Sequence, residues 1–274
     1  MIKRVMVGAG IAGASWIGYM RVRRWWATWG VDPVEQTREL PGDEIVPEGE
    51  TLISRGITIE APPEAVWPWL VQMGYGRAGW YSYDQLDMKG RSADTIVPEL
   101  QRLQVGDLLP THDAGGFEVK VFEPNRALVL YLDTAMIEAQ QAKRTEGTAD
   151  APISATETPG LAMSGGFLGT ASPKDFKVSW AFVLEPAGHG RTRLIERCRG
   201  WFGQGNAGSK MLIPVMGFGV FVMMQRQMVG LRQRIERTAR FEQAEREVTI
   251  AVPMDTPPTN GAPISTRTSS AVTV

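Results

Sequence analysis

Phe176, Val178, Trp180, Phe182 and Leu184 alternate with Lys177, Ser179, Ala181 and Val183. A period of two predicts a strand with one face on a core. The turn Ala187-Gly188-His189-Gly190 follows, and Arg191 to Phe202 reads as the antiparallel partner. Thr51 to Glu60 is another β-branched run, while Val105 to Pro110, Phe117 to Phe122 and Ala127 to Leu132 read as three short strands between turn residues. Two stretches switch to a helical period. After Ala61-Pro62-Pro63-Glu64, the residues Val66, Trp69, Leu70 and Met73 share a face until Gly74. From Phe221 to about Arg246, Met224, Met228, Leu231 and Ile235 share a face, with Arg226, Arg232, Arg234, Arg237 and Arg240 largely elsewhere. Pro214, Gly217 and Gly219 suggest a loose start to that helix.

Other stretches lack such a period. Residues 135–173 are rich in Ala, Thr, Gly, Ser and Pro and read as a flexible insertion. Residues 247–274 read as a disordered tail. Val5 to Met20 carries no charge, between Lys3-Arg4 and Arg21, Arg23 and Arg24, with Trp25, Trp26 and Trp29 beyond. As a helix this segment spans about 24 Å against about 30 Å of bilayer core, a gap that arginines and interfacial tryptophans would cover. The reading is a membrane contact through residues 5–26, with three arginines after the segment placing the domain in the cytoplasm. A soluble cytoplasmic protein and a signal peptide cleaved near Ala12-Gly13-Ala14 are the alternatives. Gly8-Ala9-Gly10-Ile11-Ala12-Gly13 also fits a dinucleotide turn, with Asp32 and Glu35 near the ribose-binding distance. Pro33 spoils the strand this needs, and no βαβ alternation follows. The division expected is therefore an apolar helix at 1–30, a linker at 31–50, a domain at 51–246 and the tail.

Composition removes much chemistry. Lys+Arg total 29 and Asp+Glu 30, so no basic field holds a nucleic acid. One cysteine, Cys198, excludes an internal disulfide and paired-thiolate zinc sites, and two histidines exclude a multi-histidine metal centre. No metal and no cofactor are expected. Nine Trp and thirteen Met suit an irregular apolar surface.

Ile57-Thr58-Ile59-Glu60-Ala61-Pro62-Pro63-Glu64-Ala65-Val66-Trp67-Pro68-Trp69-Leu70 resembles the opening of START-like proteins, the SRPBCC or polyketide-cyclase-like superfamily. Gly79-Trp80-Tyr81-Ser82-Tyr83-Asp84, Val105-Gly106-Asp107, Trp180-Ala181-Phe182-Val183-Leu184 and Phe221 to Leu231 resemble a bacterial subgroup of it. The resemblance covers about residues 29 to 240, less the insertion. It implies an α+β helix-grip fold, in which an antiparallel sheet wraps a long C-terminal helix and leaves a cavity between them. The superfamily holds lipid carriers, cyclases and receptors, so fold alone does not give activity.

On that expectation Phe176, Val178, Trp180 and Phe182 line one wall, and Met224, Met228 and Leu231 face it. Plain core packing is the competing account of each. Trp80, Tyr81 and Tyr83 belong to a loop at the cavity mouth, where Asp84 either caps a short helix or acts as an acid. Glu196 shares a strand face with Leu194 and Cys198. If that face points inward, its carboxylate is a general base or a polar anchor. If it points outward, or if Arg197 or Arg55 neutralises it, it is neither. The favoured function is non-enzymatic binding of a hydrophobic small molecule or lipid. The alternatives are a cyclase- or hydratase-type enzyme using Glu196 or Asp84, and the dinucleotide oxidoreductase.

Overall fold

The computed structural model of the chain describes residues 17–87, 90–112, 115–147, 175–203 and 207–251. The strands are β1 (Glu50–Ile59), β2 (Leu108–His112), β3 (Gly115–Glu123), β4 (Ala127–Asp133), β5 (Phe176–Pro186) and β6 (Thr192–Phe202). They form one sheet in the order β1-β6-β5-β4-β3-β2, and every pair is antiparallel. The helices are α1 (residues 17–27), α2 (Pro33–Thr37), α3 (Pro63–Val71), α4 (Asp84–Asp87), α5 (Thr134–Gly147) and α6 (Ala207–Ala251). The class is thus α+β, with an antiparallel sheet and a C-terminal helix. By compactness the chain divides after Ala239, and the described part of the second unit is the end of α6, exposed over residues 240–247.

Both faces of the sheet are covered, which is why the middle of β5 is buried almost continuously. On the inner face Ile57, Leu128, Leu130, Phe182, Leu184 and Leu194 join α3 residues Val66, Trp69 and Leu70 and α6 residues Met228, Leu231 and Ile235 in one apolar core. Phe221, Met224, Met228, Leu231 and Ile235 recur at intervals of three and four, so α6 turns one stripe toward buried surroundings. Gly230 lets α6 come close: a Cβ there would fall 2.0 Å from the Tyr81 carbonyl oxygen. On the outer face Val129, Ala181, Val183 and Ile195 pack with Leu40 and, less buried, Val31 and Ile45.

That outer cover corrects the linker expected at residues 31–50. The segment opens with a capping box in which Asp32 and Glu35 satisfy each other's backbone N–H. It is then held by arginines of β6. Arg193 donates to the Glu35 carboxylate at 2.7 and 2.8 Å and to the Gly30 carbonyl. Arg197 donates to Asp43 at 2.7 Å and to the carbonyls of Arg38 and Glu35 at 2.8 and 2.5 Å. Arg199 reaches the Gly49 carbonyl at 2.5 Å.

The N-terminal region attaches earlier than expected as well. Trp29 packs on the inner core and its carbonyl accepts from the Gly56 N–H. Among the described residues no helix is long and apolar enough to cross a membrane. Most of the expected anchor, residues 1–16, lies outside them. The start of the expected flexible insertion is helix α5, and its remainder, like residues 252–274 of the expected tail, also lies outside. Helix α6 starts well before Phe221 and passes through Pro214, Gly217 and Gly219, where a loose start was expected. Its arginines are not simply a solvated face: Arg234 and Arg237 approach Asp94 at 3.3 and 3.0 Å, and Arg234 donates to the Ala93 carbonyl at 3.0 Å.

The outer cover can be tested at Arg197, which is 2% exposed. Arg197→Met keeps the apolar stem and removes the fork, so Asp43 loses its close ion pair, keeping the Leu40 N–H and the more distant Arg199, and the carbonyls of Arg38 and Glu35 lose a donor. Breaking a buried charge pair in this way costs roughly 3–5 kcal/mol. Urea unfolding should show that loss, and amide exchange should accelerate over residues 35–43 before it does in β5. An unchanged unfolding midpoint would show that the cover is not held by this side chain.

Candidate functional site: a buried polar pair in an apolar face

The antiparallel register places side chains in rows across the inner face. One row reads Arg55, Glu196, Phe182, Leu128 and Phe122. The next reads Ile53, Cys198, Trp180, Leu130 and Val119. A basic and an acidic side chain therefore stand side by side, on β1 and β6, in otherwise apolar rows. Arg55 and Glu196 are both 0% exposed.

Their hydrogen bonding is incomplete. Glu196 Oε1 accepts from the Trp180 indole N–H at 2.8 Å, and Arg55 Nε donates to the Trp26 carbonyl at 3.1 Å. Glu196 Oε2 and both terminal nitrogens of Arg55, Nη1 and Nη2, have no hydrogen-bond partner. Each buried, unmet polar atom of this kind costs on the order of 1–3 kcal/mol. The Phe221 ring lies 5.0 Å from the Arg55 guanidinium carbon and offsets part of that cost through its π face. Trp25 of α1 meets Phe221 edge-on at 5.5 Å.

Burial sets the protonation of this group. It pushes the Glu196 carboxyl up to about 7 from an ordinary 4.5, although the nearby Arg55 charge and the Trp180 hydrogen bond pull it down. Burial lowers Arg55 from its usual value, while Glu196 and then Cys198 act to raise it. The Cys198 thiol is raised, first by burial and then by Glu196, so it stays protonated near neutrality.

Trp180 connects the pair to the apolar residues. Its ring stacks on Trp80 at 5.4 Å and 17°, meets Phe117 edge-on at 5.7 Å and lies 5.0 Å from Phe182. Of the residues expected to line the site, Trp80, Trp180, Phe182, Met228 and Leu231 share the inner core. Met224 is buried but outside that cluster. Phe176 and Val178 are half-buried farther along β5, opposite Phe202 and Gly200. Tyr83 is exposed, whereas its neighbour on the loop, Trp80, is buried.

The aromatic loop is organised around Tyr81, through Gln72 and Ser92. Tyr81, at φ +59°, is buried. Its hydroxyl accepts from Gln72 at 2.8 Å and donates to the Trp69 carbonyl at 3.2 Å, and its N–H donates to Ser92 Oγ at 3.0 Å. Ser92 Oγ in turn donates to Asp84 at 2.5 Å, so Asp84 ties this loop together. Asp32 and Glu35 serve the α2 cap and Arg193, and Gly8 to Gly13 of the dinucleotide reading lie outside the described residues. His189 is exposed in the β5–β6 turn, and the His112 side chain lies outside the described residues. Among the described residues no cluster of His, Cys, Asp and Glu could hold a metal.

Arg55 is the site residue the sequence offered only as a neutraliser. An arginine in phase with Ile53, Ile57 and Ile59 on a β-branched strand was the signal, because the alternation that turns those isoleucines inward turns Arg55 inward too.

No family model matches the chain, and no curated protein is similar to it. Among solved structures the chain is similar to the crystal structure of protein MLL2253 from Mesorhizobium loti, with 17% identity and a TM-score of 0.33, covering 68% of this chain and 98% of that one. A likeness of that size carries no argument about fold or function.

The protonation of Glu196 gives a stability prediction. Below pH 4.5 the folded and unfolded chains both hold the proton. As pH rises from there to about 7, the unfolded chain releases it first, so folded stability falls, by roughly 3 kcal/mol in full. Glu196→Gln removes this penalty and keeps an acceptor for Trp180. The variant should match the wild type near pH 4.5 and exceed it by about 2–3 kcal/mol at pH 8 in denaturant unfolding. Equal pH profiles for the two proteins would show that Glu196 does not titrate as described.

Proposed function

We propose that the protein binds a hydrophobic small molecule or lipid between the inner sheet face and α6, in the manner of a helix-grip protein. The observation that carries this reading is a fully buried polar pair with three unmet atoms, set among Trp180, Phe182 and Phe221. Such groups orient a ligand whose remaining surface is apolar. The resemblance of residues 29 to 240 to START-like proteins points the same way.

Organic extracts of the purified full chain should contain an apolar compound in near-stoichiometric amount, identified by mass spectrometry. An apolar fluorophore should bind the stripped protein. Met228→Trp, which adds bulk on α6, should weaken it tenfold or more, while Met228→Leu leaves it unchanged. A stripped protein that takes up no apolar fluorophore sinks the reading.

Catalysis of a cyclase or hydratase type is the second reading. Glu196 favours it, because an acid poised near 7 suits proton transfer at neutral pH.

We also propose attachment to a membrane through residues 5–26, with the domain in the cytoplasm. Supporting this, Ile17, Met20, Val22 and Trp25 are exposed on α1 next to Arg21, Arg23 and Arg24. Since Trp26 and Trp29 serve the domain, a truncation must keep them. The full chain should sediment with membranes, and a chain starting at residue 17 should stay in the supernatant. Equal partitioning of the two would rule out residues 5–16 as the anchor.

A further inference from the structure

We propose that Arg55 and Glu196 form a carboxylate-accepting site, so that the ligand is an apolar monocarboxylic acid bound together with one proton. This rests on the apolar-ligand reading above and narrows it to a chemical class.

The geometry of Arg55 comes first. Its Nε is engaged by the Trp26 carbonyl at the C-terminal end of α1, which fixes the guanidinium plane. What is left is the pair Nη1 and Nη2, buried and without partners. Two parallel N–H donors on one edge of a guanidinium match the two oxygens of a carboxylate. An alcohol or ester accepts from the same edge but brings no charge to balance it.

Glu196 supplies the second half. Oε1 is committed to Trp180, and Oε2 is unmet. Protonated, Oε2 is a third donor beside the fork; ionised, it repels an anion. The charged group acting on Glu196 is Arg55 from β1, while the Cys198 thiol on its own strand stays protonated and neutral. Strand β5 brings the neutral Trp180 indole, and α6 brings the Phe221 ring over Arg55.

Charge balance then fixes the stoichiometry. With Glu196 ionised, the pair is neutral and an added carboxylate leaves a buried net charge of minus one. With Glu196 protonated, one guanidinium meets one carboxylate. When Glu196 begins ionised, binding therefore takes one proton from solvent onto Oε2. A phosphate monoester, carrying close to two charges, would exceed what one arginine compensates. The apolar part of the ligand would lie against Phe182, Trp180 and the α6 stripe.

The test uses dodecanoic acid, dodecanol and methyl dodecanoate on the stripped full chain, by calorimetry at pH 6 and pH 8.5. The acid should bind at least tenfold tighter than the alcohol and ester at pH 6. That preference should shrink by up to tenfold per pH unit above about 7, where Glu196 begins ionised. At pH 8.5, titrations in buffers of different ionisation enthalpy should report uptake of close to one proton per acid bound. Glu196→Gln should keep the preference and lose its pH dependence, and Arg55→Met should lose the preference while still binding dodecanol. Equal binding of all three compounds overturns the carboxylate site and leaves the apolar reading standing. Binding of none of them overturns both. A preference for the acid that is the same at the two pH values overturns the role of Glu196. These wild-type measurements decide the matter even if Arg55→Met does not fold.

Discussion

Strand β6 is covered on both faces, and its alternation divides the work between them. Leu194, Glu196 and Cys198 turn inward, while Arg193, Ile195, Arg197 and Arg199 turn outward. A strand with charged residues on both faces is stable under cover only if those charges find partners. On the outer side they do: segment 30–49 offers a row of carbonyls and the carboxylates of Glu35 and Asp43. On the inner side they do so in part, and the candidate site consists of that remainder. The outer arginines also hold the cover against Val129, Ala181 and Val183, so the middle of β5, the strand that carries Trp180, is covered on both sides.

The parts legible in the sequence are those whose burial follows a single period. The alternation of β5 and the three-four spacing of Met224, Met228, Leu231 and Ile235 each identify their element, because apolar burial alone decides those faces. Glu196 shares its phase with Leu194, but Ile195 makes the opposite phase apolar as well, so alternation alone leaves its direction open. Its pairing with Arg55 depends on the β1–β6 register, a relation between strands far apart in the chain. Patterning within one strand carries no information about it.

Other elements were hidden because polar groups hold them. Helix α5 has no apolar stripe: Asp133 accepts from the Met136 N–H at its start, and Gln140 exchanges two hydrogen bonds with the Gly116 backbone, each 3.1 Å. Its Ala, Glu, Gln, Lys and Arg content favours a helix by propensity alone, a signal weaker than its lack of periodicity. Segment 31–46 is fixed by arginines more than 140 residues away in the chain, and its own sequence shows only the Asp32–Glu35 cap. Tyr81 occupies a left-handed conformation that a sequence rule would assign to glycine. Its hydroxyl, its N–H and the Arg234 guanidinium 5.3 Å over its ring hold it there.

The position of Arg55 joins these observations. A guanidinium among Ile53, Ile57 and Phe182 would point in no particular direction if its nitrogens were equally unmet. The Trp26 carbonyl removes that freedom by taking Nε, and the Phe221 ring lies against the guanidinium face. The carbonyl belongs to the end of α1, where the helix dipole is negative and favours a cation. Trp25, one residue earlier, rests on the same Phe221. Two contacts between α1 and the domain thus also orient the fork. Displacement of α1 would free Nε and uncover Phe221 together, so the shape of the polar site and the attachment of the N-terminal helix are one structural variable.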